Sequence, residues 1–172
     1  PIGEFFGYKT AGFYPASDFT KVGNAYVPNA GVVAYAGAQP GSFMYADVNG
    51  DKQITDADRT FIGNPNPDFT YGINLGASYK AFDFSAIFYG SYGNQVYNYT
   101  LYWTDFYGSF NGAKSNDALT KSFGAPGVTN PLLPIQSDLN TMGTTQTSSF
   151  FVSNASFLKI RNVQLGYTFD PK

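Results

Sequence analysis

The segment FTYGINLGASYK constrains this chain more than any other. Phe69, Tyr71, Ile73, Leu75, Ala77 and Tyr79 take alternate positions, and Thr70, Gly72, Asn74, Gly76, Ser78 and Lys80 fill the gaps. Successive side chains of a strand point to opposite faces, so this is a strand with one wholly apolar face and one polar or small face. At about 3.3 Å per residue it is long enough to cross a tilted membrane. A second strand follows at once in FDFSAIFYGSYG, where Phe82, Phe84, Ala86 and Phe88 oppose Asp83, Ser85, Ile87 and Tyr89. The short link at Lys80 and Ala81 predicts a hairpin. A third, FLKIRNVQLGYTF, sets Val163, Leu165 and Tyr167 against Asn162, Gln164, Gly166 and Thr168. Simple alternation puts Lys159 and Arg161 on its apolar side. A charge at mid-bilayer costs about 2–4 kcal/mol, so both are expected at or beyond the membrane interface. The opening IGEFFGYKTAGFY is a fourth, less regular strand candidate.

Composition narrows what such strands serve. Aromatics make up 19% of the 172 residues, with 17 Phe and 14 Tyr, whereas only 13% are charged. Soluble domains carry about 25% charged residues. Many aromatics, many glycines and few charges suit strands that meet lipid on one side and water on the other. The alternative is a soluble all-β, calcium-stabilised carbohydrate-binding module, in which Tyr71, Ile73 and Leu75 would be buried against a second sheet. The chain contains no Cys and no His. Disulfides, thiolate metal sites and imidazole-based catalysis are therefore excluded within it. A net charge of -2 argues against a nucleic-acid partner. The most apolar run, GVVAYAGA, is far shorter than the roughly 18 residues of a spanning helix, so a membrane crossing must use strands.

Two long connections, from Tyr14 to Asp68 and from Tyr92 to Asn154, are rich in Gly, Pro, Asn, Ser and Thr. Loops of that length are rare in compact domains. Transmembrane barrels, with short periplasmic turns and long extracellular loops, are the exception. The expected fold is thus all-β: an antiparallel transmembrane β-barrel fragment of about four strands with long extracellular loops. Residues 1–172 read as part of one barrel domain, excerpted from a longer polypeptide.

One motif carries ligand chemistry. In DVNGDKQITDAD, Asp47, Asn49 and Asp51 stand at positions 1, 3 and 5 of a calcium loop of EF-hand type. The Gln53 carbonyl stands at 7, Thr55 at 9 and Asp58 at 12. Calcium requires six to eight hard oxygen ligands around one point, and this spacing supplies them. Ile54 provides the apolar anchor at position 8. Lys52 stands where Gly normally makes the sharp turn, and Asp58 replaces the longer Glu. The competing reading is an acidic turn that is solvated or paired with Lys52 and Arg59. A dockerin-like module would need two such loops, and the sequence has one. DADRTF can form one helical turn after the loop. The cluster Tyr97, Tyr99, Tyr102, Trp103, Phe106 and Tyr107 suits either stacking on sugar rings and apolar groups or, more simply, loop packing and an interfacial girdle. Asn98 and Asn154 sit in glycosylation-like triplets that occur often by chance.

Several segments together resemble the C-terminal half of the barrel in the SusC/RagA family of TonB-linked outer-membrane transporters. They are PIGEFFGYKTAGFY, the stretch FMYADVNGDKQITDADRTFIGNPNPDFTYGINLGASYKAFDFS, and SFLKIRNVQLGYT. The acidic loop followed by IGNPNPDFTYG, an alternating strand and the YKAFD turn is the most specific part. The resemblance covers about half of the chain. It implies a barrel of about 22 strands with a plug that this chain lacks. It also implies a SusD-like lipoprotein lid, the TonB complex as energy source, outer-membrane lipid around the wall, and an oligosaccharide or peptide substrate. Import of this kind involves no covalent chemistry, so the implied protein is not an enzyme. The family usually has Gly at the position of Lys52.

Overall fold

The computed structural model describes residues 3–109, 112–136 and 146–169. Eleven strands follow in order: β1 (Phe5–Tyr8), β2 (Thr10–Phe13), β3 (Phe19–Val22), β4 (Ala25–Pro28), β5 (Phe43–Tyr45), β6 (Arg59–Gly63), β7 (Phe69–Tyr79), β8 (Phe82–Tyr92), β9 (Gln95–Tyr97), β10 (Val152–Asn154) and β11 (Phe157–Tyr167). Two short helices, α1 (Thr100–Asp105) and α2 (Asn116–Thr120), lie between β9 and β10. All named strand pairs are antiparallel. No helix among the described residues is long and apolar enough to cross a membrane. The chain divides into two compact units.

One unit holds Asn64–Val96 and residues 153–169. It is built on the three strands with the clearest alternation, β7, β8 and β11, each 11 residues long and arranged in the order β11-β8-β7. Such a strand is about 36 Å long and, tilted at about 45°, spans roughly 25 Å, the height of a barrel's apolar band. The β7–β8 hairpin closes through Lys80 and Ala81, with Lys80 at φ 55°. Two-residue hairpin turns require positive φ at their first central residue, normally supplied by Gly or Asn.

The register keeps the apolar residues together. Ile73 faces Phe88, Leu75 faces Ala86, Ala77 faces Phe84 and Tyr79 faces Phe82. Across the other side of β8, Val163 faces Ala86, Leu165 faces Phe84 and Tyr167 faces Phe82. Most of this row is exposed: Ile73 46%, Leu75 51%, Leu165 71%. The soluble-module alternative required these side chains to be covered by a second sheet, and that expectation is overturned. Ala86 is buried because its small side chain lies between Leu75 and Val163. Gly90, opposite Tyr71, leaves room for the Tyr71 ring, which lies across it: a Cβ there would push the ring aside.

β11 departs from simple alternation. Its register slips between Ile160 and Asn162, which pair with Phe88 and Ile87, leaving Arg161 as the extra residue of a β-bulge. Beyond the bulge the parity is reversed. Ile160 and Leu158 face Phe88 and Gly90 on the apolar side, while Lys159 faces Tyr89 on the polar side. The Phe157 and Tyr89 rings meet at 5.9 Å on that same polar face. The expectation that Lys159 lies on the apolar side is therefore corrected.

The other unit comprises Glu4–Gly63 and Tyr97–Val152. The opening segment is the fourth, less regular strand candidate of the sequence. It is strand, but it breaks around Lys9 into β1 and β2, which pair with β6 and β5 rather than with the long sheet. Gly7 lies against the Thr147 backbone so closely that a Cβ would collide with it. Tyr8 and Tyr14 turn into an aromatic core, which fixes the segment here. β3 and β4 form a separate hairpin, exposed except for Phe19 at its base.

The long connections were expected as loops, yet they share one core. Tyr14, Phe19, Tyr35, Phe43, Tyr45 and Ile54 from the first meet Phe106 and Phe151 from the second, with Tyr8 of β1 joining them. Tyr8 stacks on Tyr45 at 4.7 Å, and Phe43 contacts both Phe106 and Phe150. The Tyr14 hydroxyl donates to the Val33 carbonyl at 2.8 Å, which satisfies a phenol otherwise stranded in the core. Burial pushes Tyr14 and Tyr45 well above the ordinary tyrosine range.

Candidate functional site: an acidic loop beside an aromatic core

The acidic loop joins β5 to β6. Because β2 and β1 pair with those two strands in turn, both of its ends are held by hydrogen-bonded sheet. Ile54 is buried in the aromatic core, the anchoring role its position predicts. The loop's carboxylates fold back on backbone N–H groups, as Asx turns do. Asp47 accepts from Gly50 N at 2.7 Å and Lys52 N at 2.8 Å. Asn49 Oδ1 accepts from Asp51 N, and Asp51 Oδ1 accepts from Gln53 N. Asn49 Nδ2 donates to Asp51 Oδ2 at 3.0 Å. Lys52 adopts φ 65°, so it makes the position-six turn without being glycine.

Asp58 is the hub. It is fully buried and accepts from Val48 N at 2.9 Å, Asn49 N at 3.5 Å and Thr55 N at 2.8 Å. Its bond from Thr55 N completes a reciprocal cap on the turn Asp56–Asp58, the turn expected in DADRTF. The Thr55 N–H, helped by those of Val48 and Asn49, holds the Asp58 carboxyl below the usual carboxylate range, outweighing burial. The Thr55 hydroxyl accepts from Ala57 N. Asn49, Asp51, Gln53 and Thr55 are all exposed. Each is tied to another of the six through a backbone amide, Asn49 and Thr55 to Asp58, Asp51 to Asn49, and Gln53 to Asp51. Among the described residues no three acidic side chains converge into a metal cage.

Arg59 engages none of the six. It lies 3.4 Å from Asp56, donates to Gln146 at 2.8 Å and sits 5.3 Å over the Tyr8 ring, while the Tyr8 hydroxyl donates to Asp56. The capping pattern Thr55-x-x-Asp58 was legible in the sequence and signals the role of Asp58. The aromatic cluster divides. Phe106 is buried and Tyr97 and Tyr102 pack beside it, as simple loop packing predicts. Tyr99, Trp103 and Tyr107 are 42–50% exposed, with Tyr99 stacked on Tyr102 at 5.1 Å.

Long antiparallel strands with one exposed apolar face and one polar face define a wall segment of an outer-membrane β-barrel. Comparison with known proteins makes the class specific. The chain is 31% identical over 166 residues to a TonB-dependent receptor of Formosa agariphila, covering 96% of this chain and 15% of that protein. A second receptor of that organism is 31% identical over 198 residues, 99% of this chain and 19% of its own length. The TonB-dependent receptor SusC of Bacteroides thetaiotaomicron is 31% identical over 126 residues, 73% of this chain and 12% of its own length. No family model matches. The chain belongs to the SusC-like TonB-dependent receptors, proteins of the bacterial outer membrane and not enzymes. It spans less than a fifth of the length of these relatives.

Proposed function

We propose that the chain forms part of an importer that takes up oligosaccharides or peptides, working with a SusD-like surface lipoprotein and energised through the TonB complex. The observation that carries this reading is the exposed apolar row on three 11-residue strands, which fits a wall between lipid and a wet lumen. The shared aromatic core supports treating the two long connections as a folded structure able to seat a partner or touch substrate. A cell lacking the full-length receptor should lose growth on one class of oligosaccharide or peptide. Restoring the receptor should restore growth only when TonB is functional, and the receptor should co-purify with a surface lipoprotein. Growth independent of TonB would refute the import reading.

A structural role for calcium in the acidic loop is the second reading. It is favoured by Lys52, which supplies the required turn despite its side chain. Asp47, Asn49, Asp51, Gln53, Thr55 and Asp58 would hold the ion, which would stiffen the loop. Asp47→Ala combined with Asp51→Ala should then lower loop stability only when calcium is supplied. An equal loss with and without the ion leaves the carboxylates as amide acceptors alone.

A further inference from the structure

The bulge in β11 delivers a cation to the water side of the wall. Lys159 shares that face with its partner Tyr89, and the Phe157–Tyr89 ring contact confirms the parity from the side chains. Directly opposed residues in a sheet have Cβ atoms about 5 Å apart, so the Lys159 amine and the Tyr89 phenol can reach one ligand. Both residues are exposed. Lys159 makes no ion pair among the described residues.

Neither acid among the unit's described residues can serve as its counterion. Asp83 pairs with Gly166 on β11 and lies six residues along β8 from Tyr89, about 20 Å away. Asp68, one residue before β7, lies opposite Gly93, four residues along from Tyr89 and about 13 Å away, at the sheet edge opposite β11. Both distances exceed the Debye length of about 8 Å at physiological salt. Bulges are used to re-aim a side chain beside a working site. Here the bulging of Arg161 out of the ladder keeps facing water a lysine that unbroken pairing of the same residues would set against lipid.

We propose that Lys159, with Tyr89, forms a binding point for an anionic group, a carboxylate, on the water side of the wall. The inference rests on the barrel reading above. The carboxylate has two possible sources: a uronic-acid substrate, or an acidic side chain elsewhere in the receptor. Lysine presents a point charge and tyrosine a neutral donor, so together they favour an ionised acceptor over a neutral hydroxyl.

The test uses the full-length receptor, purified in detergent, with galacturonic-acid trisaccharide and the neutral galactose trisaccharide as probes in calorimetric titrations. Wild type, Lys159→Gln and Lys159→Arg are compared, with barrel formation followed separately by heat-dependent gel mobility. If substrate is the source, wild type prefers the acidic sugar about tenfold, roughly one charge-assisted hydrogen bond. Lys159→Gln then abolishes the preference and Lys159→Arg restores it. If an internal carboxylate is the source, neither sugar is preferred. Lys159→Gln then lowers the melting temperature by several degrees, high salt reproduces that loss in wild type, and Lys159→Arg reverses it. A Lys159→Gln receptor with unchanged sugar preference and unchanged melting temperature overturns the proposal while leaving the barrel reading intact. A wild-type receptor that never shows barrel mobility overturns both.

Discussion

Removing Arg161 alone tests whether it is the extra residue of the β11 bulge. If it is, Ile160 and Asn162 become consecutive partners of Phe88 and Ile87, every other pair is kept, and Lys159 stays on the polar face. If Arg161 were an ordinary ladder residue, Lys159 would start on the apolar face, and the deletion would carry it to the polar face while Leu158 and Ile160 passed to the apolar one. Lysine on the lipid side costs about 2–4 kcal/mol at the midplane. Leu158 and Ile160 are 60% and 58% exposed on the face that lipid covers. At about 1.5–3 kcal/mol for a fully buried side chain, each gains about 1–2 kcal/mol on that face. Unbroken pairing therefore predicts that the deletion stabilises the barrel by about 4–8 kcal/mol, whereas the bulge predicts a change of no more than about 1 kcal/mol. Urea unfolding of the full-length receptor in lipid vesicles, followed by gel mobility, measures this. Lys159→Leu should stabilise neither the deletion nor the wild type, because the lysine already faces water in both. If the deletion unfolds at a much higher urea concentration than wild type, or if Lys159→Leu stabilises wild type by about 2–4 kcal/mol, the parity argument fails.

Three further expectations follow from local geometry. Asp58→Ala leaves the N–H groups of Val48 and Thr55 without their acceptor; at about 1.5–3 kcal/mol for each bond to a charged group, hydrogen-exchange protection of those amides should fall by at least about a hundredfold. The folded-state pKa of Asp58 is depressed, so its contribution is fully present above the unfolded value of about 3.9 and is lost as pH falls through the folded value; loop protection should be steady near neutrality and collapse only at acid pH. Lys80→Gly should stabilise the β7–β8 hairpin by roughly 0.5–1 kcal/mol, because relief of the left-handed backbone at φ 55° exceeds glycine's entropic cost; a lower urea midpoint would contradict this. Gly90→Ala should cost about 1–3 kcal/mol through its collision with Tyr71, and Tyr71→Ala in the same receptor should remove that clash, as a double-mutant cycle would reveal.

The three long strands were legible because a period of two needs only local residues. Phe69 through Tyr79 declare both faces without reference to any partner. The bulge was not legible, since parity beyond Arg161 depends on which β8 residue each position meets, and alternation within β11 alone gives the opposite answer for Lys159. The acidic loop could be found from spacing, and Thr55 and Asp58 also carried a capping signal. What spacing could not supply was the allocation of each carboxylate to a backbone amide. The core of the second unit escaped for another reason. Tyr14, Phe43, Phe106 and Phe151 are far apart and follow no period, so glycine- and proline-rich surroundings made them look like ornaments on loops. Packing among distant aromatics overrode that local impression.

That common core ties the evolutionary fate of the two connections together. Neither can be exchanged alone for its counterpart from another receptor, because Phe43 would then lose Phe106 and Phe150, and Tyr8 would lose its backbone seat at Thr147. New specificity is more readily acquired by transplanting both excursions as a matched pair, or by changes confined to outward positions such as Tyr99 and Trp103 that leave the shared packing untouched.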